Sequence, residues 1–169
     1  MWQISARVMV LGVVALLSGC PDYGLVDHAK LAAAREFYDQ PVNERLRTFR
    51  QHPLEDQLDL YFFGNQFRHP PAIYLAPCFA LNGFPAVQLL RSKLATQPDD
   101  LSVRDIAALL GMIDMMGQYD VAGDKQLVAL LSSRIARMKD QNWRQTAEDA
   151  VSSFGKRRTE AAKHAPECS

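Results

Sequence analysis

Asp100-Leu-Ser-Val-Arg-Asp-Ile-Ala-Ala-Leu-Leu-Gly-Met-Ile-Asp-Met-Met116 is the stretch on which the fold turns. Within it Ile106, Leu109, Leu110, Ile113 and Met116 recur at steps of three and four residues, the spacing of one face of an α-helix. No proline occurs from Leu101 to Lys163, so nothing in that span forces a helix to break. Just upstream, Gln97-Pro98-Asp99-Asp100 is a turn whose carboxylates can accept from the free N–H groups that open the helix.

The same pattern extends in both directions. Toward the C-terminus, Gly117–Asp124 is a turn, and Leu127, Leu131, Ile135 and Met138 line a further helix. Asn142-Trp143-Arg144-Gln145 has the spacing of a capping box with Asn as the cap, ahead of a last stripe of Trp143, Ala147, Ala150, Val151 and Phe154. Toward the N-terminus, Phe84-Pro85 opens a helix lined by Val87, Leu90 and Leu94. Before it, Ala72–Leu81 is expected to be helical through Cys78, bent or late-starting because of Pro77, with Asn82-Gly83 as its C-terminal cap. His69-Pro70-Pro71 is the strongest break in the domain. Leu54, Leu58, Tyr61 and Phe62 mark a helix entered at Pro53 and favoured by Glu55 and Asp56 in its first turn. Val42–Arg50, with Leu46 and Phe49 inward, and a segment from Leu25 to Pro41, with Leu31, Ala34 and Tyr38 inward, complete the set. No segment alternates with strand periodicity, so the fold class is all-α.

Within that class two architectures stand open. A shift of forty-one residues lays Val87 on Val128, Leu89 on Leu130, Leu90 on Leu131 and Leu94 on Ile135, and sets Ile106, Leu110 and Ile113 over Ala147, Val151 and Phe154. Helix pairs of about forty residues are the unit of a short HEAT-like array. A further shift keeps only Leu46 and Phe49 in register, which fits an irregular bundle of antiparallel helices equally well.

The first twenty residues are of another kind. Arg7 precedes the uncharged apolar run Val8–Leu17, and Ser18 and Gly19 lead to Cys20. Ten apolar residues rise only ~15 Å as a helix, about half a bilayer core. Leu17-Ser18-Gly19-Cys20 closely resembles the lipobox of bacterial lipoproteins. That resemblance implies cleavage after Gly19, a diacylglycerol thioether on Cys20 and acylation of the new amino terminus. Two or more acyl chains anchor stably where one does not. It also implies a location in the bacterial cell envelope, lipid-anchored and facing the periplasm. Asp directly after the lipidated cysteine is associated with inner-membrane retention; here Pro21 intervenes before Asp22, which tilts the expectation to the outer membrane. The expected organisation is residues 1–19 as signal peptide, 20–24 as lipidated cysteine and short tether, 25–155 as one all-α domain and 156–169 as a basic tail.

Without residues 1–19 the chain keeps eighteen Lys and Arg against nineteen Asp and Glu, a balance that gives no reason to expect nucleic acid as a partner. The charges are nonetheless segregated. Asp99–Asp124 holds six acids and one base, and Lys125–Ser169 nine bases and five acids, read as complementary solvated faces of neighbouring helices or as a bipolar docking surface. If Cys20 is acylated, Cys78 and Cys168 remain as a pair in a compartment where disulfides persist, and they are expected to be bridged, the alternative being two free thiols.

No motif supports catalysis: Gly-x-Ser-x-Gly, His-Glu-x-x-His, Cys-x-x-Cys and phosphate-cradling glycine loops are all missing. His52 with Glu55, Asp56 and Asp59 is the nearest approach to a metal cluster, and is better read as a helix start. His69 with Tyr61 and Tyr74 is the nearest approach to a pocket, and Met112, Met115, Met116 and Met138 to an adaptable surface; both sets fit core positions better. No catalytic, cofactor-binding or metal-binding residue is assigned. The segments Gly117-Gln-Tyr-Asp-Val121 and Met138-Lys-Asp-Gln-Asn-Trp-Arg144 are similar to those of uncharacterised HEAT-like helical domains from bacteria, and no site comes with that similarity. The expected function is protein binding, assembly or immunity by an anchored, non-catalytic domain. The rival expectation is an envelope enzyme or ligand-binding protein with a site of dispersed polar residues. Cys20→Ala is expected to abolish labelling by a fatty-acid probe and leave the precursor uncleaved; normal processing and labelling of that variant would remove the lipobox reading.

Overall fold

The computed structural model describes residues 28–96, 98–156 and Cys168. The signal peptide, Cys20, the tether and residues 157–167 of the basic tail lie outside the described residues. Among the described residues eight α-helices run in order as α1 (His28–Asp39), α2 (Val42–Phe49), α3 (Leu54–Phe67), α4 (Ala76–Ala80), α5 (Phe84–Ala95), α6 (Asp100–Met115), α7 (Lys125–Ile135) and α8 (Gln141–Ser152). Among the described residues there is no strand. The chain is all-α.

Prolines set most of the early boundaries, because a proline cannot donate to the helical ladder and fixes the chain just outside or just inside a helix start. Pro41 and Pro53 stand immediately before α2 and α3, and Pro77 and Pro85 lie in the first turns of α4 and α5. The helix expected from Ala72 takes the late-starting form: a 3₁₀ turn, Ile73–Leu75, precedes α4. Gly83 closes that segment with φ +55°, its N–H on the carbonyl of Ala80 at 2.9 Å, and α5 begins at the next residue.

Aspartates set the later boundaries. Asp99 accepts from the Ser102 N–H at 3.0 Å, Asp124 from the Leu127 N–H at 3.0 Å, and Asp140 from the N–H groups of Asn142 and Trp143 at 2.9 and 3.0 Å. The cap of α8 is therefore Asp140, two residues before the expected Asn142. A carboxylate held in extended backbone can serve two of the open N–H groups, and Asn142 is already inside the helix.

Helix α6 is the hub. It packs against α3, α4, α5, α7 and α8. Val103, Ile106, Ala107, Leu109, Leu110 and Ile113 are all buried on it, together with Leu90 and Leu94 of α5, Leu127, Leu131 and Ile135 of α7, and Ala147 of α8. Val151 and Phe154 are partly buried against the same core. The forty-one-residue offset holds in the helices themselves: α5 starts at Phe84 and α7 at Lys125, α6 at Asp100 and α8 at Gln141. Their buried faces follow it too, with Ala86, Leu90 and Leu94 matching Leu127, Leu131 and Ile135. It stops there. α3 begins at Leu54 and α4 is a five-residue helix with no counterpart in either later pair.

A second cluster fills the N-terminal half, where Phe37, Tyr38, Phe49, Leu58 and Tyr61 are buried. Gly64 sits where α3 is overlain by Tyr38; a methyl group there would lie 1.9 Å from the tyrosine Oη and 2.6 Å from Ala72.

The sulfurs of Cys78 and Cys168 are 2.09 Å apart, at disulfide distance, and their Cα atoms are 5.4 Å apart, within the limit of about 7 Å that bridging requires. Cys78 is enclosed in α4, and Cys168 is buried against it. A link across ninety residues of sequence is worth roughly 4–5 kcal/mol in the chain-entropy account. Cys168→Ser is expected to lower the melting temperature by several degrees, and non-reducing peptide maps of the parent chain to contain the 78–168 cross-link; quantitative alkylation of both thiols without reductant would contradict this.

Candidate functional site

The sequence candidates disperse. Glu55 and Asp56 are exposed in the first turn of α3, Asp59 pairs with Lys30 at 2.6 Å, and the His52 ring meets Phe37 edge-on at 5.7 Å. Among the described residues no group of three or more His, Cys, Asp or Glu side chains is arranged to hold a metal ion. His69, whose bond to Pro70 is cis, is exposed, whereas Tyr61 is buried in the core. Met138 is buried just past α7, and Met112 and Met116 are partly buried against the core.

The segregated acids have a use that neither expectation anticipated. All six between Asp99 and Asp124 accept hydrogen bonds from within the domain. Asp99 and Asp124 cap helices, and Asp100 takes the N–H groups of Lys139 and Asp140 at 2.7 and 2.8 Å, tying the first turn of α6 to the start of α8. Asp120 takes the Gly123 N–H at 2.9 Å. Asp105 and Asp114 are buried on α6. The arginines are committed in the complementary sense. Arg134 donates to the carbonyls of Leu94 and Ala95 at the end of α5, and Arg144 to that of Met138.

Asp105 is the most enclosed carboxyl group among the described residues. Asn65 and Gln66 donate to its two oxygens at 2.5 and 3.0 Å, and Arg104 donates twice, at 2.8 and 2.6 Å. The Arg104 guanidinium in turn lies 4.3 Å from the centre of the Trp143 ring. Burial pushes the Asp105 carboxyl up, against the pull of Gln66, Arg104 and Asn65. With three donors on one oxygen, one on the other and no solvent access, this carboxylate joins α3, α6 and α8 and presents nothing to a substrate. A raised folded-state pKa means that the native state holds the proton more tightly than the unfolded chain. The stability from this source is thus fully present below the ordinary carboxylate range and is lost as pH rises through the higher folded value.

The surface feature that stands apart lies on α1, α2, α3 and the 3₁₀ turn. Arg45 donates to the phenol oxygen of Tyr74 and stacks 5.4 Å from the Tyr38 ring centre and 5.5 Å from that of Tyr74. Arg68 approaches Tyr38 at 5.7 Å. Tyr38 itself is anchored by donation to the Leu60 carbonyl at 2.9 Å, and Phe63 and Phe67 continue the aromatic row at 5.7 and 5.6 Å. Phe67 and Ile73 are 71% and 65% exposed, uncommon for side chains so large, and Val42 is half exposed one turn before Arg45. Burial raises the phenols of both Tyr38 and Tyr74, so each stays neutral beside the two cations. Sequence reasoning noted Tyr74 only as a neighbour of His69 and missed Arg45, Arg68 and Phe67. The available signal was the aromatic run Tyr61-Phe62-Phe63…Phe67 ending on Arg68 ahead of the proline break.

No family model, curated protein or solved structure matches this chain. Among the described residues no single helix is long and apolar enough to cross a membrane. Measured by urea unfolding from about pH 4 upward, the stability of the parent chain relative to Asp105→Asn is expected to fall as pH rises; a relative stability that is flat or rising would contradict the raised carboxyl.

Proposed function

We propose that the chain is a membrane-anchored lipoprotein of the bacterial cell envelope whose helical domain binds another protein and does no chemistry of its own. Support for the anchor comes from Leu17-Ser18-Gly19-Cys20. The Cys78–Cys168 pair fits an oxidising compartment. The binding role is carried by one observation: Phe67 and Ile73, the most exposed of the large apolar side chains among the described residues, stand in solvent around an arginine–tyrosine cluster. Aromatic and arginine side chains are the groups enriched where protein interfaces concentrate their energy. No cofactor is assigned to the domain, and assembly or immunity roles both fall within this reading. Asp22 stands one place later than the position associated with inner-membrane retention, which favours the outer membrane slightly over the inner.

A photo-crosslinking phenylalanine analogue in place of Phe67 is expected to give one discrete protein adduct in the native envelope, and the same analogue at exposed Glu148 to give none. Equal labelling from both positions, or no protein adduct from position 67, would contradict the proposal.

A further inference from the structure

Five arginines of the described domain are half-buried, and four of them have found oxygen acceptors that suit a cation: Arg91 meets Asp124, Arg104 meets Asp105, and Arg134 and Arg144 meet carbonyls at helix ends. Arg45 is the fifth. It meets a phenol oxygen and two aromatic faces, and among the described residues no carboxylate lies within ion-pair distance of it. Arg68, the second cation on the Tyr38 ring, is exposed and likewise has no carboxylate partner there. Glu44, the nearest acid in sequence, is taken by Arg47. The phenols cannot serve as counter-ions, since burial keeps both protonated. A guanidinium stacked on aromatic rings is held in one orientation; the Arg45 Nε is buried without a partner, so its two terminal nitrogens are the groups left to take a carboxylate in a two-pronged bond.

We propose that this face binds an acidic, apolar segment of a partner protein: Arg45 and Arg68 take an Asp or Glu carboxylate, and Phe67, Ile73 and Val42 cover the apolar side chain beside it. The assignment rests on the protein-binding reading and names its chemistry. Charge complementarity selects an anion, and the exposed apolar rim selects an anion that brings hydrophobic neighbours. An anionic lipid surface is the lesser fit, because such surfaces are held by clusters of four to eight cations, and this face offers two guanidiniums. Arg45 is pre-oriented by Tyr38 and Tyr74, so little side-chain freedom is lost when the carboxylate arrives.

The test uses the full chain purified in detergent and two blocked peptides, Gly-Ser-Glu-Phe-Leu-Glu-Ser-Gly and the same peptide with Gln for both Glu. Binding is followed by the NMR signals of arginine Nε–H groups and tyrosine rings. The Glu peptide is expected to bind about tenfold or more tightly than the Gln peptide, the step of one charge-assisted bond, and to shift Arg45 and Tyr74. Arg45→Gln and Arg68→Gln should each reduce that preference, and Arg45→Lys should keep only part of it, because the point charge survives and the fork does not. Circular dichroism reports whether each variant is folded; Arg68→Gln, at an exposed position, keeps the test open if Arg45→Gln does not fold. Equal binding of the two peptides would overturn the assignment, as would binding that survives the double substitution. It would also fall if phosphatidylglycerol vesicles bound through Arg45 and Arg68 while the peptides did not. The protein-binding reading is judged separately: a Phe67-position adduct undiminished by Arg45→Gln and Arg68→Gln leaves that reading standing and removes this one.

Discussion

A carboxylate taken out of water must be met by donors from the protein around it, and α6 carries two such carboxylates, Asp105 and Asp114. Meeting them ties the domain together. Asp105 draws in Asn65 and Gln66 from α3 and, through Arg104, the Trp143 face of α8. Asp114 accepts from the N–H of Val121 at 3.0 Å in the turn before α7 and from that of Gly155 at 2.8 Å after α8. Gly155 reaches that position with φ +73°, a conformation that a side chain would strain. The apolar face of α6 supplies most of the burial, and its two acids decide which neighbours stand where.

The later helices repeat a device. In the pairs α5–α6 and α7–α8 the helix starts are displaced by forty-one residues, and the capping aspartates Asp99 and Asp140 follow the same displacement. Cross-links between the pairs are made at helix ends. Arg91 of α5 reaches the cap Asp124 of α7, Arg134 of α7 reaches the last carbonyls of α5, and Asp100 of α6 reaches the first turn of α8. Such bonds satisfy groups that a helix cannot satisfy for itself, which is why these charges turn to helix ends.

The N-terminal helices are built differently, and the protein-binding face proposed above belongs to them. Their core is aromatic, and the row from Tyr38 through Phe63 to Phe67 runs from the interior into solvent. Arg45 is held on that row by ring faces and by the Tyr74 phenol rather than by a carboxylate. Elsewhere the half-buried arginines meet a carboxylate or a carbonyl, and among the described residues no carboxylate meets Arg45 at this edge. That contrast separates Arg104, which meets a buried carboxylate, from Arg45, which meets ring faces and a phenol.

Local chemistry was legible in the chain itself. The three- and four-residue spacing of Ile106, Leu109, Leu110 and Ile113 determined a buried helical face, and prolines at positions 41, 53 and 85 determined helix starts, because these depend on a residue and its near neighbours only. The offset of forty-one residues was visible for the same reason. Where two local signals competed, the outcome needed the fold: Asp140 rather than Asn142 caps α8, with its own N–H held by Asp100 from the preceding pair. The meeting of Arg45 with Tyr74, twenty-nine residues apart, and of Asp105 with Asn65, forty apart, left no periodic trace in the sequence. Pairings of that kind depend on how helices cross in space, and only the tertiary structure decided that Asp105 would be sealed inside while Arg45 and Phe67 remained at the surface.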